Sequence, residues 1–309
     1  MFREPRRYQS NNDLAAMHDL LRQGRLANNG SYYVHPGDLN WWLFYPPMDH
    51  DFWKSIYLWD DPGQPDRLLA WALLSPVGST FDVVVKPELR GSPLAWEMLT
   101  WAMKQVKVNA KQVGREHIGV FWVDERDELL RSWLVSQGFA LASRDVYLIC
   151  DLAAPRPEAK LADGYEVRSA RGLAEVRQRA QAQYGAFSST ADVERYVQRF
   201  TRFMQSPVYD PEWDVVAAAP DGRIGAFCIA WSDPLTGVGL FEPVGTHPDF
   251  QRKGLGKAVM LEALARLQRL GMRQAIVTTG EDNLPAIKLY ESVGFHLTNR
   301  LLYYKQKIS

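Results

Sequence analysis

One stretch constrains the fold more than any other: Val244-Gly245-Thr246-His247-Pro248-Asp249-Phe250-Gln251-Arg252-Lys253-Gly254-Leu255-Gly256-Lys257, running straight into Ala258-Val259-Met260-Leu261. It reads as an apolar strand end, a proline-containing turn, and a glycine-punctuated basic loop that opens an amphipathic helix. Gly254 and Gly256 let backbone N–H groups approach a ligand without interference from a Cβ. The first-turn N–H groups of a helix have no partner of their own and point at whatever sits in the loop. Arg252, Lys253 and Lys257 add positive charge, so the stretch predicts a cradle for an anion such as a pyrophosphate. Along the helix Gly256, Met260, Ala263, Leu264 and Leu267 share one face, Glu262, Arg266, Arg269 and Arg273 the other, and Gly271 can end it. Gly-x-Gly alone marks only a tight strand-to-helix connection. No Gly-Lys-Ser/Thr follows as in a triphosphate loop, and Val259 stands where a dinucleotide fingerprint needs a third glycine.

The same order recurs earlier in the chain. Val83-Val84-Val85-Lys86-Pro87-Glu88-Leu89-Arg90-Gly91-Ser92-Pro93-Leu94-Ala95 repeats strand, turn, loop and helix, and Ser136-Gln137-Gly138-Phe139 echoes Ser292-Val293-Gly294-Phe295. Two similar folds therefore lie in tandem. In the first copy Pro93 takes the register of Gly254 and has no N–H to donate. Leu134 takes that of Tyr290, and Asp127 that of Asn283, where a carboxylate would repel a phosphate. The first copy is expected to be structural or substrate-lining. Residues 153–164, poor in large apolar groups and carrying Pro155 and Pro157, read as a linker between domains 1–152 and 165–309.

In the first domain the pattern predicts a helix capped near Asn12-Asp13 with Leu14, Met17, Leu20 and Leu21 on one face. The aromatic-rich segment from Asn40 to Trp59 reads either as a pocket wall or as core. Strands are predicted near 67–75 and 81–85, split by Pro76-Val77-Gly78, then a helix over 94–108 and a strand over 118–123. The second domain opens with a strand at 165–168 and helices over 173–184 and 190–205. Antiparallel strands follow at 214–219, 223–231 and 238–246, the first two joined by the tight turn Pro220-Asp221-Gly222. A strand at 275–279 and two short strands at 295–297 and 301–305 complete the reading.

Composition narrows the function. Formal net charge is +0 with 23% charged and 46% hydrophobic residues, which gives no support to a nucleic-acid or anionic-membrane partner. No apolar run approaches the roughly 18 residues of a membrane span, and the polar residues after Met1-Phe2-Arg3-Glu4-Pro5 exclude a signal-peptide core, so a cytoplasmic protein is expected. Cys150 and Cys228 sit in apolar strand-like runs and read as reduced and buried. The histidines form neither H-E-x-x-H nor a Cys/His cluster, so no metal site is expected.

The wider pattern is far more specific than its loop. Gln-x-x-Gly-x-Gly after a strand, an amphipathic helix, the strand Ala275-Ile276-Val277-Thr278-Thr279, then Asn283-x-x-Ala286-x-x-Leu289-Tyr290-Glu291-x-x-Gly294-Phe295 resembles the GCN5-related N-acetyltransferase (GNAT) superfamily. The resemblance covers all of the second half and, more loosely, the first. It implies an α/β (α+β) fold of two tandem GNAT-like domains, each a mixed, mostly antiparallel twisted sheet with helices on both faces. It also implies transfer of an acetyl group from acetyl-CoA to a primary amine of a small molecule, by direct attack in a ternary complex and without a metal.

Residue by residue, the resemblance places the pantetheine arm on the backbone of Val244, Gly245 and Thr246. The pyrophosphate falls to Gln251, Arg252, Lys253, Gly254, Leu255, Gly256 and Lys257, with Asn283 also on the cofactor. Tyr290 becomes the general acid, since a phenol of ordinary pKa about 10 can supply a proton as charge develops on the leaving sulfur. Gly294 reads as a helix C-cap at positive φ. Glu242 is the candidate base, on the same strand, with Pro243 beside it to interrupt pairing and splay the strand. The superfamily often places its glutamate two residues earlier, where this chain has Leu240 on the same sheet face. Glu242 then acts directly, through water, or only as a site for a cationic substrate. N–H groups around Val244 would stabilise the developing oxyanion. Tyr184, Phe187, Tyr196 and Phe200 either wall the acceptor site or pack. A non-catalytic acyl-CoA sensor or scaffold is the alternative class. The acceptor stays open between an aminoglycoside or amino acid and the amine of a thiol precursor, and the assembly between a monomer with an internal pseudo-dimer and a homodimer.

Overall fold

In chain order the elements of the computed structural model are β1 (Arg6–Arg7), α1 (Asn11–Ala27), α2 (Pro36–Phe44), β2 (Ile56–Asp61), β3 (Gln64–Ser75), β4 (Thr80–Val85), α3 (Pro93–Gln112), β5 (His117–Asp124), α4 (Glu128–Ser136), β6 (Ala140–Asp151), β7 (Glu166–Ser169), α5 (Val176–Ala186), α6 (Val193–Met204), β8 (Asp214–Ala218), β9 (Ile224–Asp233), β10 (Val238–Thr246), α7 (Leu255–Arg269), β11 (Gln274–Gly280), α8 (Leu284–Glu291) and β12 (His296–Lys307). The structure describes residues 4–27, 30–49, 51–75, 79–157, 161 and 163–308, the side chains of 65 and 66 excepted. The expected turn at Pro76-Val77-Gly78 and residues 158–160 and 162 of the expected linker lie outside the described residues.

The chain divides into two compact units, the first made of Met1–Pro36, Asp49–Val146 and Asn299–Ser309, the second of Gly37–Met48 and Tyr147–Thr298. This is not the contiguous division drawn at the linker. The strand after Gly138-Phe139 belongs to the second unit from residue 147 onward, and the strand after Gly294-Phe295 returns to the first from residue 299. Residues 37–48, early in the chain, also belong to the second unit, because their aromatic side chains find their packing partners there.

Each unit is built on a mixed, mostly antiparallel sheet. In the first the strand order is β1-β2-β3-β4-β5-β12, and only β4 and β5 run parallel. Alternation along β3 buries both faces: Ala70, Ala72 and Leu74 join the α3 core, while Trp71 and Leu73 are buried on the opposite face. Leu14, Met17, Leu20 and Leu21 are buried on α1, as their spacing predicts. The last strand is one continuous element rather than two short ones, because no glycine or proline interrupts it and Asn299, at the expected gap, is buried with its Nδ2 donating to Asp124 Oδ2 at 2.9 Å.

In the second unit the order is β6-β11-β10-β9-β8-β7, with β10 and β11 parallel and β7 to β10 antiparallel. Along β9, Phe227 joins the core under α5, whereas its neighbour Cys228 reaches the carbonyl of Val259 on α7. Helices thus cover both faces. Both cysteines are buried as expected, and burial pushes both thiols up. At the heart of this unit Arg179 from α5 donates through Nε to both carboxylate oxygens of Asp214 on β8, at 2.8 and 3.0 Å. Tyr209 donates to the same carboxylate at 3.2 Å, and the guanidinium lies 3.9 Å from the ring centre of Phe227.

Candidate active site

The strand that carries Glu242 changes partners at that residue. β10 pairs with β9 through Phe241↔Ala230 and again from Val244↔Cys228, so Glu242 and Pro243 together face the single residue Ile229. An extra residue of this kind bends a strand and re-aims its side chains. The indole N–H of Trp231 donates to the main-chain oxygen of Glu242 at 2.7 Å and holds the bulge in place. On its other edge β10 pairs with β11 only from Val238↔Gln274 to Leu240↔Ile276. Beyond that the strands part, and the splay expected at Pro243 opens a cleft of about 630 Å³.

Val244, Gly245 and Thr246 line this cleft along one side. Gln251, Arg252, Gly254, Leu255, Gly256 and Lys257 close one end, and Asn283 and Tyr290 come from the α8 side. Arg252 and Gly254 are both left-handed, with φ of 60° and 76°. Successive turns of opposite hand make a concave array of N–H groups suited to an anion. Gly254 caps α7 without a side chain, and among the described residues the N–H groups of Leu255, Gly256 and Lys257 take no acceptor. Lys253, expected on the anion, points elsewhere: its ammonium donates to the Tyr165 hydroxyl at 3.0 Å and lies 5.2 Å from the ring centre of Phe250.

Two glycines here permit close packing. A Cβ on Gly256 would come within 2.8 Å of Thr246 Oγ1 and 3.3 Å of Leu289 Cδ2, so the helix seats directly on the strand end. A Cβ on Gly245 would meet Phe227 Cζ at 2.5 Å and the Ala186 methyl at 2.9 Å, with the Phe227 ring fully buried. Gly245→Ala is therefore expected to lower stability by about 1–3 kcal/mol, read as a fall in the thermal midpoint; an unchanged midpoint would show that α5 yields freely. Asn283 acts first as a helix cap: its Oδ1 accepts from Ala286 N at 3.4 Å and its Nδ2 donates to Thr279 Oγ1 at 2.9 Å, while it lines the cleft.

Tyr290 is only 5% exposed. Burial, then the nearby Glu242 carboxyl and Cys228, push its phenol well above the usual value, so the hydroxyl keeps its proton. Glu242 is half-buried. Burial raises its carboxyl well above the ordinary carboxylate range, and the charge of Asp38 on α2 raises it further. Asp38 is an electrostatic neighbour of Glu242 that sequence reasoning missed. The aromatic cluster around it was legible, but no periodicity or motif ties residue 38 to residue 242.

In the first unit the corresponding cradle is filled by the protein's own side chains. Gly91 keeps the left-handed conformation of its counterpart Arg252, with φ of 76°. Ser92 caps α3 by accepting from Ala95 N at 3.2 Å, with Pro93 in the first turn, so donors exposed in α7 are spent or absent here. Arg90 is ion-paired with Asp127, whose other oxygen caps α4, and the Tyr33 hydroxyl donates to the Val85 carbonyl at 2.8 Å. The carboxylate expected to repel a phosphate is thus neutralised internally.

Of the aromatic residues expected around the acceptor, Tyr196 and Phe200 are buried packing residues, and Phe200 and Tyr196 both meet Tyr45 edge-on. Phe187, 51% exposed, lines the cleft. Tyr184 donates to the Ala191 carbonyl and faces a separate cavity of about 330 Å³. Gly294 follows α8 at φ 104°, as a C-cap requires. Among the described residues no group of His, Cys, Asp and Glu is arranged to hold a metal ion, and no helix is long and apolar enough to cross a membrane.

A strand splayed from its parallel neighbour over a glycine-capped helix start, with a buried tyrosine on the following helix, is the arrangement that the resemblance to acetyltransferases implies. The acetyltransferase (GNAT) family matches residues 174–295. The chain is 31% identical over 146 residues to the mycothiol acetyltransferase of Geodermatophilus obscurus, a match covering 46% of this chain and 47% of that protein. It is 25% identical over 276 residues to that of a Nocardioides species, covering 81% and 87% of the two chains. Its fold matches a tandem GNAT protein from the clavulanic acid biosynthesis pathway with a TM-score of 0.70 at 14% identity, over 98% of this chain and 97% of the other. Residues 174–295 thus match the GNAT family, and the fold of the chain is that of a tandem GNAT protein.

Proposed function

We propose that the second unit transfers an acetyl group from acetyl-CoA to the primary amine of a small molecule, by direct attack in a ternary complex. The observation that carries this reading is the single cleft lined by every expected cofactor residue except Lys253, with Tyr290 on it as well. The residues suit the donor. Uncapped N–H groups of Leu255, Gly256 and Lys257 and the flanking Arg252 and Lys257 face a diphosphate, and the free edge of residues 244–246 suits an amide-bearing arm. When bound, the thioester supplies a carbonyl open to attack and a thiolate as leaving group.

Glu242 takes the proton that the acceptor ammonium must lose before it can attack, and Tyr290 holds a proton for the departing sulfur. Positioning on the rigid strand and the two helix starts supplies much of the remaining acceleration. The relatives named mycothiol acetyltransferase favour the amine of a thiol precursor as acceptor over an aminoglycoside or amino acid. Leu240 stands where the superfamily often has its glutamate, and Glu242, two residues on at the bulge, is the base in this reading.

Calorimetric titration with acetyl-CoA tests the reading. One site per chain is expected, lost in Gly254→Pro, because proline cannot adopt the left-handed φ of 76°. Two sites would mean the first unit binds as well, and no binding would overturn the acetyl-donor assignment. Binding without turnover on any amine would favour the sensor.

A further inference from the structure

The bulge on β10 interrupts the sheet at the residue whose side chain has to be aimed. Glu242 and Pro243 together face only Ile229, and an extra residue of this kind disrupts the ladder locally. At that interruption the Glu242 carbonyl takes a hydrogen bond from a side chain, the Trp231 indole N–H at 2.7 Å. Trp231 is paired with Leu240, so its indole reaches forward over two residues of β10 to the bulge. The indole is itself held. It is 8% exposed, and its ring centre lies 6.3 Å from that of Phe203 on α6, which is fully buried. Phe203 meets Trp41 of α2 edge-on at 5.1 Å and Tyr209 at 5.2 Å, and Tyr209 donates to Asp214 of the core ion pair. Tyr45 stacks on Trp41 at 4.2 Å and lies 3.7 Å beneath the Arg199 guanidinium. The donor to the bulge thus stands at the end of a train of rings that includes residues 37–48, the early segment assigned to this unit.

We propose that Trp231 is a positioning residue for the transfer reaction: by fixing the Glu242 carbonyl, it fixes where the Glu242 side chain leaves the backbone at the reaction centre. This rests on the reading of Glu242 as the base of an amine acetyltransferase. The argument is geometric. The carbonyl carbon and Cβ share one Cα, and the peptide unit is planar, so a carbonyl that cannot turn leaves the Cα–Cβ bond little freedom to swing. In a regular strand the ladder on both edges supplies that restraint. Glu242 stands where the ladder to β9 is interrupted and where β10 has already parted from β11. Pro243 next to it has no N–H with which to rejoin the ladder. The indole therefore supplies a restraint that the sheet has given up in order to open the cleft. Trp231 is not among the residues that line the cleft, so it acts only through Glu242. A displacement of about 1 Å at a reacting group is worth about a hundredfold in rate. Loss of the indole N–H accordingly falls on proton removal from the acceptor and not on the cofactor contacts of residues 251–257.

Hydrogen exchange on the wild-type protein comes first and needs no variant. The Trp231 indole N–H is expected to exchange at least about 100-fold more slowly than a free indole; exchange at the free rate overturns the anchor, whatever the activity. Trp231→Phe then keeps a ring in the seat beside Phe203 and removes the N–H. Acetyl-CoA calorimetry verifies its fold, with an affinity expected within about a factor of two of wild type, while kcat/KM for the amine falls about 10–100-fold. The deciding readout is the same substitution in a Glu242→Gln background. Acting through Glu242, it costs less than about threefold there. An equal loss in both backgrounds makes Trp231 a packing residue and overturns the proposal, as does a Trp231→Phe protein as active as wild type. Should Trp231→Phe fail to bind acetyl-CoA, Phe203→Leu, which loosens the indole in its seat and keeps the N–H, takes its place in the cycle with the same expected pattern. Glu242→Gln as active as wild type, or no amine acetylated by the wild-type protein, is failure of the underlying reading, and the role of Trp231 falls with it.

Discussion

Tyr290→Phe is expected to lower kcat by about 10²–10⁴-fold, the usual worth of a positioned acid, while acetyl-CoA affinity stays within about a factor of two. The substitution removes one oxygen and leaves the ring in its buried seat near Phe295, 6.2 Å away between ring centres. Folding is therefore preserved, and the loss falls on the step in which sulfur departs. A leaving group of lower thiol pKa depends less on that proton, so an activated thioester analogue should recover much of the loss. Steady-state kinetics with acetyl-CoA and such an analogue decide the matter. A kcat within threefold of wild type, about 0.65 kcal/mol in barrier, would remove Tyr290 from the chemistry and leave it a packing residue.

Asp214→Ala is expected to cost about 3–5 kcal/mol of stability, because it strands the Arg179 guanidinium, which is 0% exposed, in the core of the second unit. A fall of roughly 10 °C in that unit's thermal midpoint corresponds to this magnitude. Arg179→Met combined with Asp214→Leu should recover most of the loss, since the penalty belongs to an unpaired buried charge rather than to the absence of a pair. Differential scanning calorimetry of the three variants separates the cases. If the double variant is as unstable as Asp214→Ala, the pair acts through its hydrogen bonds to Tyr209 and Gln183 rather than through charge.

The local layout of the second half was legible because it is set by short-range spacing. Thr246, Gly254 and Gly256 lie on one turn of chain, and Asn283 to Gly294 is one capped helix, so short-range spacing carries their geometry. The repeat was legible for the same reason, and so was the loss of the first cradle, since Pro93 removes a donor wherever it sits. What took its place was not: Tyr33 reaching the Val85 carbonyl and Arg90 pairing with Asp127 span gaps of 52 and 37 residues. The contact of Lys253 with Tyr165, 88 residues away, was not legible for the same reason.

By itself the sequence determined that two similar α/β folds follow one another, that the second has a glycine-opened helix start and a tyrosine, and that the first has Pro93 and Leu134 in those registers. These properties follow from backbone chemistry at single positions and from periodicities of 2 and 3.6 residues. Only the tertiary structure decided that residues 37–48 belong with the second unit and that Arg179 and Asp214 neutralise each other in its core. Those contacts are set by which buried surfaces and charges find partners far along the chain, and burial free energy depends on the neighbours present rather than on their distance in sequence.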